Sequence, residues 1–218
     1  SKWFGSRDSS AYGGITNKLL EHKKSGQPGI YGLFAASLED DTWRDALTSL
    51  RNELHAINAN LFDQTELLDE ANQFINERLD QALNCLQDLQ SLCKHGHFAL
   101  SDHLATVREM LACLGEAHSA WNTAKLLQRD GVNARFVDLT GWDDDLHLPL
   151  DERIRLAFTT IDLDKELPIV TGYAHSEDGL MSSFDRGYSE MTFSRLAVIT
   201  GAREAVIHKE FHLSLIHI

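Results

Sequence analysis

Four short stretches of the 218-residue chain hold side chains whose types and spacing could bind a small charged ligand. The first is Ser10-Ala11-Tyr12-Gly13-Gly14-Ile15-Thr16-Asn17. Gly13 and Gly14 ahead of a helix start let the backbone approach a ligand closely, and a helix N-terminus offers free N–H groups to an anion. Thr16 and Asn17 add side-chain donors, although an ordinary glycine turn with a Thr/Asn cap would use the same residues. The second is Glu116, in Leu114-Gly115-Glu116-Ala117-His118-Ser119. At about 100° per residue it lies nearly opposite the Leu104/Leu111/Leu114 stripe, on a face holding Ala105, Ala112, Cys113 and Ala120. A helix with apolar or small residues nearly all round is normally buried, and a carboxylate within it must be paired, protonated or turned toward a ligand cavity. A ligand ammonium is a natural partner. The competing reading leaves the small-residue face exposed, with Glu109 and Glu116 solvated.

The third stretch is Asp185-Arg186-Gly187-Tyr188-Ser189-Glu190-Met191-Thr192, between an apolar strand and a helix, where α/β ligands usually bind. Arg186 supplies a planar donor fork for a carboxylate or phosphate. Gly187 permits close approach, Ser189 is expected to cap a helix whose N–H groups face the same anion, and Glu190 could hold a metal or order phosphates. A capped helix with a surface Arg–Asp pair is the alternative. The fourth is Ile207-His208-Lys209-Glu210, where Lys209 could meet nucleotide phosphates and Glu210 could serve Mg²⁺ or ribose, or both could be charges leaving a strand. Eleven histidines, with His95, His97 and His103 close together, raise a metal site. No H-E-x-x-H occurs and no standard zinc spacing, so no dedicated protein-only metal site is expected. There is also no G-x-S-x-G, complete Walker A or dinucleotide fingerprint.

The elements that must position these residues fall into two blocks. Trp43, Leu47, Leu50, Leu54, Ile57 and Leu61 form one helical stripe, and Leu68, Ala71, Ile75, Leu79, Ala82, Leu86, Leu89 and Cys93 a second, closed by His95-Gly96-His97. A third helix is expected to begin at the Ser101-Asp102 cap, carry Leu104, Val107, Leu111, Leu114, His118 and Trp121, and end at Gly131. Then the pattern changes. Residues 134–139 and 168–174 read as strands, 151–161 and 189–200 as helices, and 204–208 as a last strand. Such alternation implies βαβ units on a parallel sheet, whose buried strands read as unbroken apolar runs.

Hydrophobic residues make up 43% of the chain, enough for a core, and no apolar run reaches the ~20 residues of a membrane span. The formal charge of −13 disfavours nucleic acid and anionic membranes as partners. Three cysteines, an odd number without a C-x-x-C, fit reduced thiols in a cytoplasmic protein.

Taken in order, the four stretches resemble the aspartate kinase family of amino-acid kinases. SAYGGITN is similar to the family's S-A-x-x-G-x-T-N turn, LGEAHSA to its G-E helix, PIVTGYA and DRGYSEMTFS to its V-T-G-F strand and R-G-G-S-D segment, and VIHKE to the strand leading toward its nucleotide site. LLEHKKSGQPG, ARFVDLTGW and RGYSEMTFSRLAV resemble most closely the branch encoded with ectoine biosynthesis in halotolerant bacteria. The resemblance implies ATP-dependent phosphorylation of the β-carboxylate of L-aspartate with Mg²⁺, the first step toward aspartate-family amino acids and ectoine. It implies that Thr16, Glu116 and Arg186 bind aspartate through hydroxyl, carboxylate and guanidinium, with Ser189 assisting. Tyr188 stands where the family commonly has Gly, and Glu190 where it has Asp. The implied fold is a three-layer αβα sandwich of the amino-acid kinase (carbamate kinase-like) type.

That fold is expected to be incomplete here, with a helical excursion at about 41–128 and a parallel βα part at about 129–210. The family's opening K-F-G-G-T-S strand and helix find no room before Ser10, so residues 1–9 are expected to be a junction, 10–213 a partial catalytic domain and 214–218 a non-native tail. The fragment is then expected to show little activity, and the helical excursion implies a homodimer in the intact parent. Two alternatives stand beside this: another kinase of the same fold acting on glutamate, N-acetylglutamate or a nucleotide, and a non-catalytic helical interaction module.

Overall fold

The structure, a computed structural model, describes residues 7–9, 11–36, 39–63, 65–202, 205–208 and 213–216. Residues 11–118 form one compact unit and the rest of the described chain another.

The first unit is helical: α1 (Ile15–Leu19), α2 (Ile30–Ala36), α3 (Thr42–Leu61), α4 (Thr65–Cys93) and the first part of α5 (Leu104–Arg129). Its core follows the apolar stripes, with Trp43, Leu47, Leu50 and Leu54 of α3 and Ala71, Ile75, Leu79, Ala82 and Leu86 of α4 almost wholly buried. One expected core position is corrected. After Leu54 the buried position is Asn58, not Ile57, which is only half-buried. A step of four residues keeps Asn58 on the inward face, and its amide is satisfied there by hydrogen bonds. The start of α5 also differs from expectation. Leu100–Asp102 form a single 3-10 turn, closed by His103 N–H donating to Leu100 O at 3.0 Å, and the α-helix begins at Leu104. The Ser101 hydroxyl donates to Asp102 Oδ1 at 3.2 Å and so does not cap the helix.

The second unit carries a three-stranded parallel sheet in the order β1 (Arg7–Ser9), β3 (Leu167–Thr171), β2 (Ala134–Val137). Arg7–Ser9 form an edge strand of this sheet as described. The last four residues of β3 are buried, which is why its sequence is a continuous apolar run. Ala120 and Ala124 from the C-terminal part of α5 pack on Ala134 and Ile169, and Leu127, Phe136 and Leu167 close around them. Helices α6 (Leu150–Phe158), α7 (Leu180–Phe184) and α8 (Tyr188–Ile199) complete the unit. β4 (Ala205–His208), expected as a further parallel strand, pairs antiparallel with β5 (Leu213–Ile216) instead. A short apolar run identifies a strand but not its partner, and here the partner is the next apolar run in sequence. The whole is a mostly helical α/β fold with a small parallel sheet. No helix among the described residues is long and apolar enough to cross a membrane.

Candidate functional site

In the helical unit the site begins with the turn into α1. Ile15 N–H donates to Tyr12 O at 3.1 Å, and Gly14 takes the left-handed conformation (φ 85°) that glycine adopts at no steric cost. Both Gly13 and Gly14 are exposed, with open space where a side chain would stand, so a ligand can reach this backbone. Thr16 is half-buried in the single turn of α1. Asn17 turns toward the following loop, where its Oδ1 accepts from Lys23 N–H at 3.4 Å.

Helix α1 is held against α5 by Gly115. A Cβ at this position would lie 2.9 Å from both Ala11 Cβ and Ile15 Cγ2, so only glycine admits such close packing. Beyond α1, Arg108 donates to both carboxylate oxygens of Glu21 (2.7 and 2.8 Å) and lies over the Tyr31 ring. That paired geometry is the strongest form of the Arg–carboxylate contact. Lys18 pairs with Glu53 of α3. The next residue after Gly115 is Glu116, 3% exposed, within a stretch from 111 to 120 that is buried throughout. The exposed-face alternative for Glu116 therefore falls. A carboxylate buried to this degree is kept only by compensating charge or hydrogen bonds, a role an ammonium group fits.

Two residues on, His118 is fully buried, its Nε2 2.6 Å from Asn58 Oδ1, while Asn58 Nδ2 donates to Asn72 Oδ1 at 3.0 Å. Burial, reinforced by the nearby His55, pushes its pKa down from 6.5 to about 4. His118 falls in the apolar stripe of the sequence, and the stripe alone does not reveal this network. Its signal was a histidine facing an asparagine at the i+4 position after Leu54, two polar groups on two inward faces.

In the α/β unit, the C-terminal ends of β2 and β3 are tied together. Leu139 N–H donates to Thr171 Oγ1 (3.0 Å), whose own proton goes to Tyr173 O (2.8 Å), and His175 N–H donates to Leu139 O (2.7 Å). The loop after β2 is clamped by Arg153, a buried α6 side chain. Its guanidinium donates to both oxygens of Asp144 (2.8 and 3.2 Å), to Leu146 O (2.7 Å) and to His175 Nδ1 (3.2 Å). The hydrogen bond from Arg153 holds the Asp144 carboxyl below its ordinary range, against a smaller opposing effect of burial. No local pattern marks this clamp, since α6 carries both Arg153 and Arg155 and nothing in its sequence says which is buried.

The segment 185–190 lies beyond a strained residue. Asp185 has φ 47° and ψ −128°, a conformation rare outside glycine that accumulates at binding sites. Residues Asp185–Gly187 form one 3-10 turn, and Gly187 occupies the position before α8. Ser189 is then the second residue of the helix, not its cap, and Glu190 follows in the first turn; both are half-buried. Tyr188 is 2% exposed and meets Tyr173 edge-on, with ring centroids 5.5 Å apart. This contact accounts for Tyr188 where the resembled family has glycine: it anchors the helix start to the end of β3. Alongside lies a cleft of about 310 Å³ lined by Asp151, Ser176, Asp178, Ser183, Met191 and Arg195. The side chain of Arg186, and Lys209 and Glu210 altogether, lie outside the described residues.

Among the described residues no group of three or more His, Cys, Asp or Glu gathers for a metal. Glu190, in the first turn of α8, is a carboxylate, the donor type that Mg²⁺ takes, one or two at a time, beside its waters.

Residues 9–212 match the amino acid kinase family model. The chain belongs to the amino acid kinase family. It is 56% identical, over 205 residues, to aspartate kinase Ask_Ect of Stutzerimonas stutzeri (strain A1501), a match covering 94% of this chain and 43% of that protein. The chain thus spans less than half the length of this curated relative. No solved structure gives a significant match.

Proposed function

We propose that the chain supplies the amino-acid-binding part of an aspartate kinase, which transfers the γ-phosphoryl group of MgATP to the β-carboxylate of L-aspartate. The P–O bond to ADP breaks, and a carboxylate oxygen takes the phosphoryl group to give 4-phospho-L-aspartate. The observation that carries the reading is the burial of Glu116 one residue after the glycine that admits the Thr16-bearing helix. In this reading Glu116 receives the substrate ammonium, the Thr16 hydroxyl donates to the substrate, and Arg186 takes the α-carboxylate with help from Ser189. Gly13, Gly14 and Gly187 let backbone approach, and Glu190, Lys209 and Glu210 serve the phosphates and Mg²⁺. Such chemistry depends almost wholly on positioning and on stabilising the charge of the transferring group.

The 56% identity to a protein named aspartate kinase supports the substrate, and the family match supports ATP. The same reading carries the three-layer αβα architecture, a homodimer, a place in lysine, threonine and ectoine biosynthesis, and a cytoplasmic location, which three cysteines outside any disulfide suit. Titration calorimetry with the chain tests it. L-Aspartate should bind while N-acetyl-L-aspartate, lacking the ammonium, should not, and Glu116→Gln should weaken L-aspartate by on the order of 100-fold. Equal binding of both ligands would overturn the role of Glu116. Turnover is read by coupled ADP release in a protein that contains this chain.

A further inference from the structure

His118 has no part in the scheme above, yet its surroundings are costly to build. It is fully buried, as is Asn58, and the hydrogen bonds run from α5 through α3 to Asn72 on α4. Because the Asn58 amide NH₂ donates to Asn72, its oxygen faces His118, which assigns the proton to Nε2 of a neutral ring. A leucine or methionine in place of each buried polar side chain would fill a comparable volume without desolvating His118 and Asn58. Two hydrogen bonds in series across three helices instead favour one geometry.

The ring also meets Tyr12 edge-on, with centroids 5.4 Å apart and planes at 65°. Tyr12 opens the turn into α1: its carbonyl accepts the Ile15 N–H, and Thr16 follows directly. One side chain therefore touches both the hydrogen-bonded helices and the turn that carries Thr16, on the same helix as Glu116.

We infer that His118 is a positioning residue: through its Nε2–H bond to Asn58 and its edge contact with Tyr12 it seats the Tyr12–Thr16 turn on α5, and so sets affinity for the amino acid rather than the rate of phosphoryl transfer. This rests on the reading of Thr16 and Glu116 as amino-acid-binding residues. The neutral ring adds no charge to the site, and steric placement is its whole contribution. Gln at this position can still offer an N–H toward Asn58, whereas Leu cannot.

The test pairs a ligand-free readout with a kinetic one. In the chain without ligand, His118→Leu should raise amide hydrogen exchange across residues 12–18 by about tenfold or more, and His118→Gln should restore most of the protection. In a protein containing the chain, His118→Leu should raise the KM for aspartate about tenfold, with kcat and the KM for ATP within about twofold of wild type. Tyr12→Leu removes the same edge contact without touching the network, and should reproduce both effects if His118→Leu does not fold. Unchanged exchange at 12–18, or losses shared equally among kcat and both KM values, overturns the inference. The two readings fail separately. If wild type binds no aspartate but His118→Leu still loosens the turn, the positioning stands and the substrate assignment falls; if aspartate binds and the turn is indifferent to His118, the reverse holds.

Discussion

An added Cβ at Gly115 would come within 2.9 Å of Ala11 and Ile15, whereas one at Gly187 would meet nothing within 4 Å. The two glycines lie in segments that carry candidate binding residues, one in the helical unit and one in the α/β unit. In the first, a buried acid and a turn are held by interlocked small side chains, two ion pairs and a buried hydrogen-bond network. In the second, the segment follows a strained backbone position, and the Tyr173–Tyr188 contact anchors the helix start. The first arrangement fixes geometry through packing and should fail when volume is added. The second is fixed by backbone conformation and should be sensitive to φ while tolerating new side-chain atoms.

The largest effect that would sharpen this contrast is Gly115→Val, expected to cost about 3 kcal/mol by overpacking, read as a fall of roughly 6–12 °C in Tm. Acid should act on the helical unit almost as strongly. Because burial lowers the His118 pKa from 6.5 to about 4, the unfolded chain binds a proton that the folded chain refuses across that interval. Stability should therefore fall by about 3 kcal/mol as pH drops from 6.5 to 4, and denaturant titrations should show that part of the slope missing from His118→Gln. In the α/β unit, Asp185→Gly should relieve the positive φ and raise stability by about 1 kcal/mol, or roughly 3 °C in Tm. The smallest effect is Gly187→Ala, expected to change stability by about 0.5 kcal/mol or less in the same assay. A loss at Gly187 comparable to that at Gly115 would erase the contrast.

What could be read from the sequence divides along the same line. The helical stripes of α3 and α4 and the buried strand β3 follow from periodicity, because each depends on residues close in sequence, whereas the same periodicity leaves Glu116 open between burial and exposure. Asn58 was passed over for Ile57 since hydrophobicity counts an amide as solvent-facing, while its partners Asn72 and His118 are distant in sequence. The Arg153 clamp and the Tyr173–Tyr188 contact are likewise pairings between elements, which no local pattern encodes. β4 was recognised as a strand but assigned to the wrong kind of ladder, because pairing direction is settled by whichever neighbour is available. The left-handed Asp185 gave no signal at all, since strain of this kind is imposed by its surroundings and not by the residue itself.

The sheet has a consequence for how the polypeptide emerges from the ribosome. Arg7 lies in register with Ile169, so β1 is synthesised about 160 residues ahead of the strand it pairs with. At typical translation speeds that is roughly 10 to 30 s during which the first strand exists without its ladder. The helices, whose contacts are local, have that interval to fold. Sheet assembly is then a late event, timed by delivery of β3 and not by the speed of strand pairing itself.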